Sequence, residues 1–180
     1  MLDRAIKTLK GLLLGIIAII LMEQFIFGIT IVQGMSMNPT IHDDDKLFVN
    51  KFIYLLQKPR HGDIVIFHPP IKEREKELFI KRVVAMEGDS FLISNGKLYI
   101  NGMEIVENYV SSQSYLDRHY NYTMGRVPKG TLFVMGDNRN DSNDSRCFGF
   151  VSIDRIEGKA NLRLWPLETV EALSLDYSYK

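Results

Sequence analysis

The sequence predicts a mainly β protein: an antiparallel β-sheet domain with a small inserted β subdomain, preceded by one N-terminal transmembrane helix. Three observations carry this expectation. The first thirty residues hold a long apolar run behind a basic start. The rest of the chain falls into short strand-like segments between turn signals, with hardly a stretch keeping helical periodicity for three turns. Two Asn-Gly dipeptides, Asn95-Gly96 and Asn101-Gly102, mark tight hairpins, because both central positions of such a turn need positive φ.

The N-terminal element is read from polarity. Gly11 to Met22 contains no polar side chain, and Phe25 to Val32 resumes the apolar trend after Glu23 and Gln24. The uninterrupted run is shorter than the roughly 20 residues a bilayer demands, so Leu9 and part of Phe25 to Ile31 must contribute. Arg4, Lys7 and Lys10 stand against Asp3 before it, a positive flank that stays in the cytoplasm and sends the rest of the chain to the other side. No A-x-A-like cleavage site comes after the apolar run, so it reads as an uncleaved anchor. No second apolar stretch of spanning length appears. The expected organisation is a cytoplasmic N-terminus over 1–10, a single anchor over 11–30, and an extracytoplasmic domain over 31–180, with inserted hairpins and a connection at approximately 91–130.

The expected strands are, in order, Lys46 to Asn50, Ile64 to Phe67, Leu78 to Met86, Phe91 to Ser94, Lys97 to Ile100, Met103 to Val106, Thr131 to Met135 and Lys159 to Trp165. The Asn-Gly turns join three of them into a local meander. Lys72 to Glu77 alternates sign without apolar partners and reads as a solvated hairpin tip with no binding role. Asn108 to Lys129 loses the pattern and reads as an irregular connection or a small appended subdomain.

Composition removes several function classes. The 180 residues contain 46% apolar residues, enough to bury a core, and 22 basic against 22 acidic side chains, so no basic excess draws nucleic acid. The single Cys147 cannot form an internal disulfide, and His42, His61, His68 and His119 show no metal-site spacing, so no metal or other cofactor is expected. Cys147 beside Phe148 reads as a small buried hydrophobe.

Three segments carry chemistry. Gly34-Met35-Ser36-Met37-Asn38-Pro39-Thr40 sets a serine in a turn just after the anchor. Leu78 to Met86 places Lys81 on a strand face with Phe79, Val83 and Ala85, and Arg82 on the other face with Ile80 and Val84. At least one of these two cations must snorkel, pair or lose its charge. A serine nucleophile needs a base, and no histidine stands in a triad context. A lysine serves only as the neutral amine, since an ammonium has donors and no acceptor, and burial among apolar neighbours is what favours that form. The third segment, Gly136 to Arg146, is a run of polar residues and glycine whose Asp, Arg and Ser side chains can brace one another and a neighbouring site.

In this order the three segments resemble the boxes of type I signal peptidases, the serine and lysine proteases that remove signal peptides from exported proteins. The lysine box matches from Lys81 through Gly88-Asp89, and His61-Gly62-Asp63-Ile64-Val65-Ile66-Phe67 resembles a further family strand. The resemblance implies Ser36 as nucleophile, Lys81 as general base, Ser142 as a hydroxyl holding the amine, and Asp144 with Arg146 as a supporting ion pair. It implies a cleft whose small-residue pockets use Val32, Gln33, Gly34, Met37, Ile41, Phe79 and Ile80. It further implies a single-pass protein of the bacterial cytoplasmic membrane, N-terminus inside and catalytic domain on the extracytoplasmic face. Its partners would be signal-peptide-bearing precursors and the lipid bilayer, with proximity to the secretion translocase and no nucleic acid. Gly34 stands where some family members carry a serine that helps hold the oxyanion. Two rival readings share parts of the pattern. One is a self-cleaving repressor, for which the N-terminus offers no DNA-binding module. The other is an inactive membrane-tethered β domain that binds peptides, whose mark would be loss of Ser36 or Lys81.

Overall fold

The computed structural model describes residues 2–110, 120–173 and 178–179. Helix α1 (Leu2–Phe25) opens the chain and is followed by β1 (Phe27–Ile31), β2 (Lys46–Asn50), the single-turn α2 (Ile53–Leu56), β3 (Ile64–Phe67) and β4 (Phe79–Met86). Then come β5 (Ser90–Ser94), β6 (Lys97–Ile100), β7 (Met103–Val106), β8 (Met124–Arg126), β9 (Thr131–Met135), α3 (Ser145–Phe148), β10 (Val151–Ser152), β11 (Ile156–Trp165), β12 (Glu171–Ala172) and β13 (Ser178–Tyr179). Residues 111–119 of the expected irregular connection lie outside the described residues.

The strands form two antiparallel sheets. The larger has the order β1-β2-β11-β3-β4-β9-β10, with β12 added to β11; the smaller has the order β13-β7-β6-β5-β8. Asn95 and Gly96, and Asn101 and Gly102, all take positive φ, which is why those dipeptides close the β5-β6 and β6-β7 hairpins. Among the described residues three apolar clusters fill the interior. Val32, Met37, Ile41, Leu47, Ile64 and Ala160 pack beneath the serine segment. Val65, Phe67, Val83, Leu132, Val134 and Val151 form the second cluster. Val84, Ala85, Phe91, Leu98 and Phe133 belong to the third, which joins the two sheets.

Strand β4 belongs to two of these clusters, so it is buried on both faces from Lys81 to Ala85. Its register against β9 shifts between Val83 and Ala85. A bulge of this kind adds one residue and breaks the period of two. Val83 therefore packs with Val65 and Phe67, whereas Ala85 joins Val84 and Phe91. The expectation that Ala85 shares the Lys81 face is corrected by that bulge.

The apolar stretch expected as an anchor over 11–30 is divided between two elements. Helix α1 ends at Phe25, and Phe27 to Ile31 pairs with β2 from Phe27 facing Asn50 to Ile31 facing Lys46. Among the described residues no helix is long and apolar enough to cross a membrane.

Candidate active site

Gly34 starts the site. Its φ of +91° lies in the left-handed region, which suits glycine, and its N–H donates to Asp43 Oδ1 at 2.6 Å. The chain then turns so that Ser36 faces β4. Lys81 Nζ lies 2.7 Å from Ser36 Oγ and donates to the Ile80 carbonyl, also at 2.7 Å. The hydroxyl and the amine are 45 residues apart in sequence, and the β1 to β4 part of the large sheet brings them together.

Lys81 is buried beside the Phe79 ring. Burial pushes its pKa down to about 8; Asp144 and Asp137 pull it upward, while Arg146 and Arg74 push it lower. At that value roughly a tenth of the molecules carry the neutral amine at pH 7, against about four in ten thousand for a free lysine. The neighbouring Arg82, on the opposite face of β4, is paired. Its Nε and Nη2 donate to Asp137 Oδ1 and Oδ2 at 2.8 and 2.5 Å, and its Nη1 donates to the Gly62 carbonyl at 2.9 Å. Of two adjacent cations on one strand, one is paired and the other is partly discharged.

The polar loop after β9 braces Ser36 from behind. Asn138 N–H donates to the Ser36 carbonyl at 3.0 Å, and Asn138 Nδ2 donates to the Met35 carbonyl at 3.2 Å. Gly136 is pressed so close that a Cβ there would collide with Ser142 Oγ and the Ser36 carbonyl. Asp144 and Arg146 are fully buried and share two side-chain hydrogen bonds at 2.8 and 2.7 Å. Burial alone would raise the Asp144 pKa, but the Arg146 guanidinium and the Gly136 N–H hold it below the ordinary carboxylate value. Arg146 also donates to the Tyr120 hydroxyl at 2.9 Å and stacks 4.3 Å from that ring's centre.

The lysine amine's second contact is the Ile80 carbonyl. The Ser142 hydroxyl is buried beside Gly136, close enough to Asp144 to help hold that carboxyl's pKa down.

A cleft of about 670 Å³ opens over Ser36 and Lys81. Of the residues expected to shape it, Val32, Gln33, Gly34, Phe79 and Ile80 line the space. Met37 and Ile41 do not: both are fully buried in the cluster below, because an apolar side chain on the inner side of the serine turn packs against Leu47 and Ile64. The Lys72 to Glu77 run is the largely exposed connection of the β3-β4 hairpin, as expected of a solvated tip, and it also reaches the cleft. Arg74, Lys76 and Glu77 stand at the cleft, where Arg74 grips Glu77 through Nε at 2.9 Å and Nη2 at 2.6 Å and lies 4.6 Å from the Phe79 ring centre.

A serine hydroxyl against a buried lysine amine, at the floor of a cleft between strands, is an arrangement for nucleophilic attack assisted by an amine base. Comparison with known proteins agrees. The family model described as "Signal peptidase, peptidase S26" matches residues 5–165. The chain belongs to this family. Signal peptidase I of Bacillus caldolyticus is 40% identical over 154 residues, covering 80% of this chain and 82% of that protein. A probable signal peptidase I-2 of Synechocystis is 34% identical over 170 residues, covering 93% of this chain and 76% of that one. The crystal structure of a signal peptidase I from Enterococcus faecalis superposes with a TM-score of 0.50 at 32% identity, over 58% of this chain and 98% of that one.

Within this S26 peptidase the residues to which sequence reasoning gave no individual role are Thr40, Gly136, Asp137 and Asn138; of the outcomes it allowed for Arg82, the structure shows pairing. Thr40 Oγ1 donates to Asp137 Oδ2 at 2.5 Å, so the serine turn, β4 and the polar loop meet at one carboxylate. The available signal was Arg82 itself: an arginine inside an apolar strand needs a buried acid, and Asp137 opens the polar loop.

Proposed function

We propose that this S26 peptidase is a serine endopeptidase that removes N-terminal signal peptides from exported precursors, with Ser36 as nucleophile and Lys81 as general base. The observation that carries the reading is the 2.7 Å approach of Ser36 Oγ to a buried lysine amine whose pKa is pushed down to about 8. The neutral amine takes the serine proton as Oγ attacks the carbonyl carbon. The resulting ammonium protonates the leaving amine, and an acyl-enzyme remains. Lys81 then takes a proton from water, which attacks the ester and frees Ser36. The Ile80 carbonyl holds one amine hydrogen and so aims the lone pair at Oγ. The Ser36 N–H donates to no acceptor among the described residues and is the group to meet the oxyanion. Ser142, Asp144 and Arg146 support the dyad by fixing the loop behind Ser36, and no cofactor takes part.

The same reading makes the part of 11–30 that lies in α1, up to Phe25, the core of a single-pass anchor, with 1–10 in the cytoplasm and the domain from β1 onward on the extracytoplasmic face of a bacterial cell membrane. The described residues of 91–130 then form an insertion that does not line the cleft. Support comes from α1, where Leu9, Leu12, Leu13, Leu14, Ile16, Ile17, Ile19 and Ile20 are exposed around more than half of the helix circumference, a wider apolar surface than a core-facing stripe and one suited to lipid. Precursors held in the same bilayer near the translocase would present their cleavage sites to the cleft.

The test is cleavage of a secretory precursor by the purified full chain in lipid, with the new N-terminus read by mass spectrometry and Ser36→Ala as control. A single cut is expected, with small residues at the first and third positions before it, because Val32, Phe79 and Ile80 narrow the cleft. Replacing the first of these by leucine or phenylalanine is expected to slow cutting by on the order of 100-fold, and EDTA to leave the rate unchanged. Efficient cutting after those large residues, or equal cutting by Ser36→Ala, would sink the reading.

A further inference from the structure

Arg82, Arg139 and Arg146 are buried behind the site, and each meets a residue of the segments that leave and re-enter the smaller sheet. Glu107 and Tyr109 follow β7, and Tyr120 comes shortly before β8. The Arg82 guanidinium carbon lies 4.2 Å from the centre of the Tyr109 ring, and that of Arg146 lies 4.3 Å from the Tyr120 ring. Arg139 gives Nη1 and Nη2 to the Glu107 carboxylate at 2.8 and 2.6 Å, and neither side chain is more than 9% exposed. The two tyrosine hydroxyls join the same network. Tyr109 donates to Glu107 Oε1 at 2.9 Å; Tyr120 donates to the Arg139 carbonyl at 3.2 Å and accepts from Arg146 Nη1 at 2.9 Å.

A guanidinium offers donors around its edge and a flat face that attracts an aromatic ring. For Arg82 and Arg146, Asp137 and Asp144 take the edge, and the rings cover a face where water would otherwise compete for the charge. Arg139 passes the contact onward. Its Nε donates to the Gly136 carbonyl at 2.9 Å, and the Gly136 N–H donates to Asp144 Oδ2 at 3.0 Å. Gly136, held from both ends of its backbone, is the residue pressed against the Ser36 carbonyl. A line of contacts thus runs from Glu107 through Arg139 and Gly136 to the backbone of the nucleophile. Glu107, Tyr109 and Tyr120 do not line the cleft themselves.

We propose that Glu107, Tyr109 and Tyr120 are positioning residues for the peptidase reaction: the insertion clamps the polar loop from outside and so fixes the Ser36 turn against Lys81. The inference rests on the reading of Ser36 and Lys81 as the catalytic dyad. A hydroxyl that must meet both an amine and a substrate carbonyl tolerates little displacement, and about 1 Å costs on the order of 100-fold in rate. Because the clamp acts from behind, its loss lowers kcat and leaves binding in the cleft as it was.

The test measures kcat and KM separately on a short peptide spanning a secretory cleavage site, using the purified full chain in lipid, with a thermal melt of every variant. Glu107→Ala is expected to lower kcat on the order of 100-fold while KM changes less than about twofold. Glu107→Gln, which keeps the volume and one acceptor, and Tyr109→Leu are each expected to lose roughly tenfold in kcat. Tyr109→Phe keeps the ring on Arg82 and is expected to lose less than about threefold. These losses are expected to persist on cooling well below each variant's melting temperature, whereas a merely structural role would be recovered there. Wild-type kcat in folded Glu107→Ala, or in Glu107→Gln where the alanine variant does not fold, overturns the inference and leaves the dyad standing. A loss confined to KM, or one that disappears on cooling, overturns it equally. Cutting of the peptide by Ser36→Ala as fast as by the wild type overturns the dyad and the inference together.

Discussion

Lys81→Arg is expected to abolish cleavage as completely as Ser36→Ala, each costing about 10⁴- to 10⁶-fold in kcat. The reason lies in what occupies the 2.7 Å gap to Ser36 Oγ. A guanidinium stays charged at every accessible pH and offers no lone pair, so it cannot accept the serine proton even if it reaches the same place. Because the two residues act as one unit, removing both is expected to cost little more than removing either. Single-turnover cleavage of a precursor by purified variants, with circular dichroism to confirm folding, checks both statements. Near-normal turnover by folded Lys81→Arg would show that another group takes the proton.

Asp137→Ala is expected to produce the largest loss of stability among single changes near the site, about 3–5 kcal/mol. Asp137 and Arg82 are both fully buried and share two hydrogen bonds. Deleting the carboxylate strands a guanidinium with the Gly62 carbonyl, a long 3.5 Å contact to Thr40 and the face of the Tyr109 ring, 4.2 Å away, none of which carries a compensating charge. For a chain of this length that loss lowers Tm by roughly 6–20 °C. The Arg82→Met, Asp137→Leu double variant is expected to recover much of it, since a buried ion pair replaced by apolar groups of similar volume is often neutral. Activity should remain reduced even so, because Asp137 also takes the Thr40 hydroxyl and sits between Gly136 and Asn138, which brace Ser36. Thermal melts within about 1 kcal/mol of wild type for Asp137→Ala would remove the ion pair from the account.

Much of the β architecture was legible because its signals are local. Alternation and Asn-Gly turns located β2, β3, β6, β7 and β9 at the bounds they occupy, and β4, β5 and β11 within a few residues. Strand β1 was hidden by its own composition: Phe27 to Ile31 is apolar enough to extend a membrane run, and only its pairing with β2 shows otherwise. The short β8, β10, β12 and β13 carry two or three residues each, too few for a period to appear. In the site, Ser36 and Lys81 stood out because their segments, in order with the polar loop, resemble the signal peptidase boxes; a serine in a turn or a lysine in an apolar strand says little alone. The β4 bulge, which sends Ala85 to another core, leaves no mark in residue types. Closeness to Ser36 in sequence suggests a place in the cleft for Met37 and Ile41, but a turn sends neighbouring side chains in different directions, and these two point into the core.

The central claim is that Lys81 works as a neutral amine, and the pH dependence of kcat/KM tests it most directly, since that ratio reports the free enzyme's groups. Burial lowers the folded-state pKa to about 8, so the fraction of neutral, competent amine grows as pH rises through that value and levels off above it. The expected result is a single rising limb with an apparent pKa near 8, measured on a precursor over a range where the protein stays folded. A limb centred near 10.4, the value of free lysine, or a rate that does not change between about pH 6 and 10, would contradict it.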